Sequence, residues 1–297
     1  MSEQHHVIIL PYYCQEEIER YLKIAGLMQS FPKQRASYSF LLAASPKADF
    51  SEELVNAYSK IAPTCHFKCP TQVFGYPEGP TAMYWDAMDF VAQTFQGNSG
   101  FSLWLESDMC PIKPDWLDRL SDEWFQNEAP LMMGCYVPEV YKHRLFRQPK
   151  LILDPHINGG GCYSIDFANV MPAEAREGVF DMAVYRYAKS LGAVKSTRQI
   201  MFSHTNRVRR DLMDSEKVLL HGFMQDKDDF IDQCVRPLTS IETKAAAWAP
   251  FKDQIESWQR RVRVQFVRRG RQAMLENMLL AKERLDKAQS RQTRRVA

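Results

Sequence analysis

Short apolar runs alternate with stretches of helical spacing through the first 125 residues. Val7–Leu10 is wholly apolar and is stopped by Pro11, the pattern of a strand buried on both faces in a parallel sheet. Glu16–Met28 then places Ile18, Leu22, Ala25 and Met28 on one helical face. Ser37–Ala44 reads as a second buried strand. Ser51–Ile61 reads as a helix capped by Ser51, with Leu54, Ala57, Tyr58 and Ile61 on one side. Cys65–Cys69 is a third strand, Pro80–Phe95 a longer helix, and Phe101–Leu105 a fourth strand that ends at Glu106-Ser107-Asp108. Pro114–Phe125 is helical again. This alternation predicts an α/β sheet with open loops at the strand ends.

The second half is less regular. Leu131–Tyr136 has strand character. A basic loop with Lys142, Arg144, Arg147 and Lys150 follows, then His156-Ile157-Asn158-Gly159-Gly160-Gly161 and a strand-like Cys162–Ile165. Asp181–Leu191 is helical, and Val218–Leu220 is a short strand ending at His221-Gly222. A domain boundary falls near Pro237–Pro250. It divides the chain into a catalytic domain over 1–237 and a basic, mainly helical extension over 238–297.

Composition changes this picture in three ways. The 297 residues are 45% hydrophobic and 25% charged, enough apolar content to build a core. No apolar run approaches the ~20 residues that span a bilayer, and the opening residues lack the basic flank and apolar stretch of a secretory signal. The seven scattered cysteines are then expected to be reduced thiols, and the location cytoplasmic, of a bacterium or an infected host cell. Charge is divided unevenly. Residues 260–297 hold 12 basic and 3 acidic side chains, a net of +9, whereas residues 1–259 hold 26 and 33, a net of −7. An acidic body with a basic tail points to an anionic partner for the tail: nucleic acid or a membrane surface.

The chain has no G-x-G-x-x-G, Walker A, H-E-x-x-H or C-x-x-C motif, which argues against a Rossmann dehydrogenase, a P-loop NTPase and a zincin. Cys65, His66 and Cys69 have no second pair to complete a zinc site. The strongest chemical feature is Glu106-Ser107-Asp108 after an apolar strand. In an extended segment, alternate side chains point the same way, so both carboxylates face one site at the carboxyl end of the sheet. Hard oxygen ligands of this kind suit Mg²⁺ or Mn²⁺, and those ions suit a diphosphate. A second feature is Gly79-Pro80 opening a helix whose N-terminus can face phosphate, with Asp86 one to two turns further on.

Taken together, the strand order, the acid-x-acid triplet, the glycine-rich segment and the late His-Gly resemble the GT-A class of nucleotide-sugar glycosyltransferases, over roughly Val7 to Lys227. The resemblance implies a GT-A-like (Rossmann-like) mixed sheet flanked by helices. It implies that Pro11, Tyr12 and Tyr13 hold the nucleoside of the donor, with Gly79 and Asp86 near its diphosphate and sugar. Glu106, Asp108 and His221 become the ligands of Mn²⁺ or Mg²⁺. This chain has Glu106 where the usual motif has Asp, which leaves Asp108 the firmer ligand. Asn158, Gly159 and Gly160 would lie by the acceptor, together with the basic Lys142 and Arg144. Asp181, at the start of a helix, is the expected general base, with Asp154 in reserve, because a neutral hydroxyl is a poor nucleophile.

The basic segments, including Arg207, Arg209 and Arg210, favour a polyanionic acceptor. DNA with hydroxymethylated pyrimidines is a polyanion that carries a free hydroxyl, and its glycosylation is an activity of phage glycosyltransferases. A bacterial glycan or a lipid-linked acceptor at the membrane surface is the alternative. A third reading is a catalytically inactive nucleic-acid-binding protein, against which the intact Glu106, Asp108 and His221 speak.

Overall fold

The computed structural model describes residues 4–126, 129–138, 140–142, 150–153, 155–203, 207–222 and 226–238. They lie within a compact unit spanning Met1–Leu238. The expected extension, 238–297, lies outside the described residues apart from Leu238.

The chain runs β1 (His5–Tyr12), α1 (Gln15–Met28), β2 (Ser37–Ala44), α2 (Glu52–Ser59), β3 (Thr64–Lys68), α3 (Glu78–Thr94) and β4 (Phe101–Trp104). It continues through β5 (Met109–Pro111), α4 (Trp116–Phe125), β6 (Met132–Val137), β7 (Val140–Lys142), β8 (Lys150–Leu153) and β9 (His156–Ser164). Then follow α5 (Phe167–Val170), a 3₁₀ turn (Ala173–Arg176), α6 (Phe180–Ser190), β10 (Val194–Ser196), β11 (Ile200–Ser203), α7 (Val208–Asp211), β12 (Leu219–Gly222) and α8 (Lys227–Val235).

Seven strands form the main sheet in the order β10-β6-β9-β4-β1-β2-β3. All its pairings are parallel except those of β9, which runs antiparallel to both β4 and β6. The fold is therefore α/β with a mixed sheet flanked by helices, as expected. The apolar runs have a simple cause. On β1, Val7 and Ile9 pack with α3, α5 and α6, while Ile8, Leu10 and Tyr12 pack with α1, α2 and α4. A strand covered on both faces has no polar position to spare. Ser51 caps α2 as predicted, accepting from Leu54 N at 3.3 Å.

Two expectations are corrected. Pro11 does not end β1, which continues to Tyr12 beside Ala43 and Ala44 of β2. Proline is tolerated there because β4 has already turned away on the other side: its last pairing is Ile9 with Trp104. The strand expected at Cys162–Ile165 begins earlier, with the glycine-rich His156–Gly161 already part of β9. Its glycines permit close approach inside the sheet.

The sheet places the site. β1 continues to β2 on one side, and β4 lies on its other side, so a crevice opens between the carboxyl ends of β1 and β4. Open α/β sheets bind ligands at such a switch point. The Tyr21 hydroxyl on α1 holds the root of this fork, donating to the carbonyls of Pro11 (3.0 Å) and Leu105 (2.7 Å), which share it.

Candidate functional site

Glu106 and Asp108 do converge, but by a different route from extended alternation. Leu105 N bonds Ile9 O at 2.9 Å, and the chain then turns tightly, with Met109 N donating to Glu106 O at 2.9 Å. Beyond the turn, β5 joins a small sheet of order β11-β12-β5. Pairing of Met109 with His221 on β12 brings that histidine under the turn, and Gly222 N bonds Asp108 O at 2.8 Å. His221 Nε2 lies 3.3 Å from Asp108 Oδ1 and 3.4 Å from Glu106 Oε2. One ligand atom from each of the three side chains lies within 4.8 Å of the other two. Lys227, at the start of α8, places Nζ 2.9 Å from Asp108 Oδ2.

The charges at this corner support one another. Burial opposes a charge on His221, but its hydrogen bonds with Asp108 and Glu106 and their negative fields outweigh burial and lift it to about 9. Burial likewise opposes ionisation of Asp108, yet His221 and Lys227 hold it below the usual carboxylate range. Nε2 stands between two carboxylate oxygens. Asp108 Oδ1 is buried without a well-aligned hydrogen-bond partner. An orphaned, ionised carboxylate oxygen beside a second carboxylate and an imidazole suits a hard divalent cation of the Mg²⁺ or Mn²⁺ kind. On the far side of the ring, Asn158 Nδ2 lies 2.8 Å from Nδ1. A divalent ion held through Nε2 would leave the ring proton on Nδ1, where the Asn158 amide could accept it through its oxygen.

A cavity of about 300 Å³ opens beside this corner. Pro11, Tyr13, Glu106, Asn158, Gly159 and Asp181 all line it. At its other end Asp181, in the first turn of α6, accepts from Met182 N at 2.8 Å and lies 3.7 Å from His156 Nε2. Burial raises the Asp181 carboxyl above its ordinary value; the facing His156 opposes this and the Glu106 charge adds to it. The two glycines here are dictated by close approach. A Cβ on Gly159 would meet Phe180 Cζ at 2.7 Å and Glu106 Oε1 at 3.1 Å. One on Gly160 would meet Met109 Sδ at 2.2 Å and His221 Nδ1 at 3.3 Å. Gly160 therefore backs the acid–histidine corner.

Other predicted residues stand away from the cavity wall. Tyr12 is buried, its hydroxyl donating to Asp49 O (3.2 Å) and lying 3.1 Å from His66 Nε2; Tyr13 is the tyrosine that reaches the cavity. Asp86 accepts from Thr71 N (3.0 Å) and Thr71 Oγ1 (2.7 Å), so it anchors the loop before α3. Gly79 bonds Gly75 O through its N–H, while its neighbours Pro77, Pro80 and Thr81 face the cavity. Arg209 donates to the carbonyls of Gln233 (2.9 Å) and Arg236 (2.8 Å) and thereby caps α8. Asp154, Arg144 and the side chain of Lys142 lie outside the described residues.

The sequence reading missed Glu17, Lys227 and His156. Glu17 lines the cavity and accepts from Tyr13 N at 2.6 Å; burial raises its carboxyl. Its signal was the four-residue step from Tyr13 into α1, which sets it in the first turn of the helix. Lys227 follows the Asp226 cap of α8, six residues after His221, and nothing in that spacing announces an approach to Asp108. His156 shares a strand with Asn158, but its meeting with Asp181 depends on how α6 packs.

No protein-family model matches this sequence, and no curated protein matches it. Among solved structures, the chain is similar to 4-diphosphocytidyl-2C-methyl-D-erythritol synthase, with a TM-score of 0.47, 12% identity, and coverage of 78% of this chain and 98% of that one. It is also similar to an active-site mutant of LgtC, with a TM-score of 0.45, 8% identity, and coverage of 79% of this chain and 98% of that one.

Proposed function

We propose that this protein is a metal-dependent glycosyltransferase that moves a sugar from a nucleotide-sugar donor to a hydroxyl acceptor. The observation that carries the reading is the convergence of Glu106, Asp108 and His221 at the fork of β1 and β4, beside a cavity that is also lined by a half-buried carboxylate, Asp181. When bound, the divalent ion supplies positive charge to the diphosphate and to the negative charge that grows on it as it leaves. Glu106, Asp108 and His221 hold that ion. Lys227 can leave Asp108 and meet a phosphate oxygen. Tyr13 and Pro11 form the wall on the nucleoside side. Asp181 takes the acceptor proton as the acceptor oxygen bonds to the sugar carbon, and the electrons of the broken carbon–oxygen bond leave with the nucleoside diphosphate.

Nucleotidyl transfer fits this geometry less well. The turn from β1 into α1 reads Pro11-Tyr12-Tyr13-Cys14-Gln15-Glu16-Glu17, with no glycine or basic residue to cradle a triphosphate and with the half-buried Glu17 carboxylate lining the same cavity.

For the acceptor, we favour DNA bearing hydroxymethylated pyrimidines, whose base would have to leave the stack to reach Asp181. The support is the charge split between residues 1–259 and 260–297. A glycan or lipid-linked acceptor at a membrane surface is the alternative; among the described residues no helix is long and apolar enough to cross a membrane. The test is a panel of nucleotide sugars with Mn²⁺, followed by nucleoside diphosphate release with hydroxymethylated DNA, plain DNA or simple sugars as acceptor. Release with no donor on any acceptor would overturn the transferase reading. Removing 260–297 should flatten the salt dependence of DNA binding, because fewer phosphates are neutralised. An unchanged slope would remove the case for DNA.

A further inference from the structure

Arg20 lies on α1, outside the cavity, yet its guanidinium touches two segments that flank the acid–histidine corner. Nε donates to Asp228 Oδ1 at 2.9 Å, and a terminal nitrogen donates to Ser107 Oγ at 3.0 Å. Ser107 is the residue between Glu106 and Asp108, and its hydroxyl in turn faces Glu17 Oε1 at 3.4 Å. Asp228 directly follows Lys227, the lysine that meets Asp108. One cation therefore spans the turn that presents two carboxylates and the helix end that presents Lys227. Its side chain is 11% exposed and that of Asp228 is 56% exposed, so the bond to Ser107 is the better shielded of the two.

From this we infer that Arg20 is a positioning residue for the divalent-cation site, fixing the Glu106–Asp108 turn relative to the start of α8. The inference rests on the metal reading above. The local backbone does not do this alone. The turn is closed on itself by Met109 N to Glu106 O, and α8 is capped on itself by Asp226, which accepts from Asp228 N (2.9 Å) and Asp229 N (3.1 Å). Neither contact reaches the other segment. A planar guanidinium offers diverging N–H groups in fixed directions, whereas an ammonium is a single point of charge.

The chain supplies its own control. One turn along α1, Lys23 Nζ lies 2.6 Å from Asp232 Oδ1, joining the same two helices with side chains 41% and 58% exposed. That pair docks α8 without touching Ser107 or Lys227. If Arg20 merely docked α8, the two pairs would be equivalent.

The experiment titrates Mn²⁺ alone into the full chain and follows free and bound ion by electron paramagnetic resonance. Arg20→Met keeps the apolar stem and should weaken Mn²⁺ binding about 10–100-fold, the usual cost of losing a partner that orients a metal's ligands. Its bound-ion spectrum should broaden as the ligand geometry spreads. Arg20→Lys should weaken binding in the same direction and covers the case in which Arg20→Met does not fold. Lys23→Met should bind Mn²⁺ as the unaltered chain does. Arg20→Met and Arg20→Lys chains that fold and bind Mn²⁺ with unaltered affinity and spectrum, while Asp108→Asn does not bind it, would overturn the inference and leave the metal reading standing. Failure of the unaltered chain to bind Mn²⁺, or unaltered binding by Asp108→Asn, would overturn both.

Discussion

The two ends of the cavity pair the same residue types with opposite results. At one end His221 stands 3.3 Å from Asp108 and 3.4 Å from Glu106. At the other His156 Nε2 stands 3.7 Å from Asp181 Oδ2. In the first, two carboxylates and Lys227 overcome burial, so His221 is lifted to about 9 and Asp108 is held ionised. In the second, burial outweighs the one histidine, and the Asp181 carboxyl is raised. Environments that push carboxylates apart in this way separate their roles. An aspartate held ionised suits a cation; one whose pKa is raised is a stronger base and suits a proton.

The sharpest break in this comparison is Asp108→Ala. It should remove transfer essentially completely, a loss of at least about 10²–10³ in rate by analogy with other groups that hold charge in a transition state. The thermal midpoint reports separately on folding. Next comes Asp181→Asn, which should lower the rate by ~10²–10⁴ because an amide cannot take the acceptor proton. Its Mn²⁺ and nucleoside diphosphate binding should be unaltered, so a variant that loses both binding and rate would merge the two ends into one site. His221→Ala should act in the direction of Asp108→Ala but more mildly, and raised Mn²⁺ should restore part of the rate. No recovery at any Mn²⁺ concentration would remove its ligand role.

The smallest effect concerns pH. Asp181 acts as a base when ionised, and burial raises its carboxyl, so the rate should fall as pH drops through a value higher than an ordinary aspartate's. Charges facing Asp181 come from His156 on β9 and from Glu106, with Tyr84 on α3 and Tyr163 on β9 packed close by. His156 favours the ionised form, so His156→Gln should move this acid limb to higher pH, by a shift on the order of one unit or less. A limb that stays in place would show that the two side chains do not interact.

Much of the acid–histidine corner was legible in the sequence because short-range patterns encode it. Val7–Leu10 is apolar throughout, and Ser37–Ala44 and Phe101–Leu105 are interrupted only by serines, because each strand is covered on both faces; Glu106-Ser107-Asp108 follows where such a strand must leave the sheet. The other end was legible only in part. Asp181 shows itself as an acid at a helix start, but His156 reaches it only through the packing of α6 on β9. The glycines 159 and 160 announced close approach without naming Phe180, Glu106, Met109 or His221 as the neighbours. Lys227 and Arg20 were hidden for the same reason: their partners, Asp108 and Asp228, lie 119 and 208 residues away in sequence. Tyr12 and Asp86 show the converse. Side chains of the right type near a strand end or a helix start turned inward or toward a loop, a choice set by tertiary contacts.

The central claim is that the acid–histidine corner holds a divalent ion that in turn holds the donor's diphosphate. Calorimetric titration of nucleoside diphosphates into the full chain, with and without Mn²⁺, and repeated on Asp108→Ala, tests it most directly. At least one nucleoside diphosphate should bind only when Mn²⁺ is present, and Asp108→Ala should lose that binding at an unaltered thermal midpoint. Equal binding without the metal, or undiminished binding by Asp108→Ala, would contradict the account.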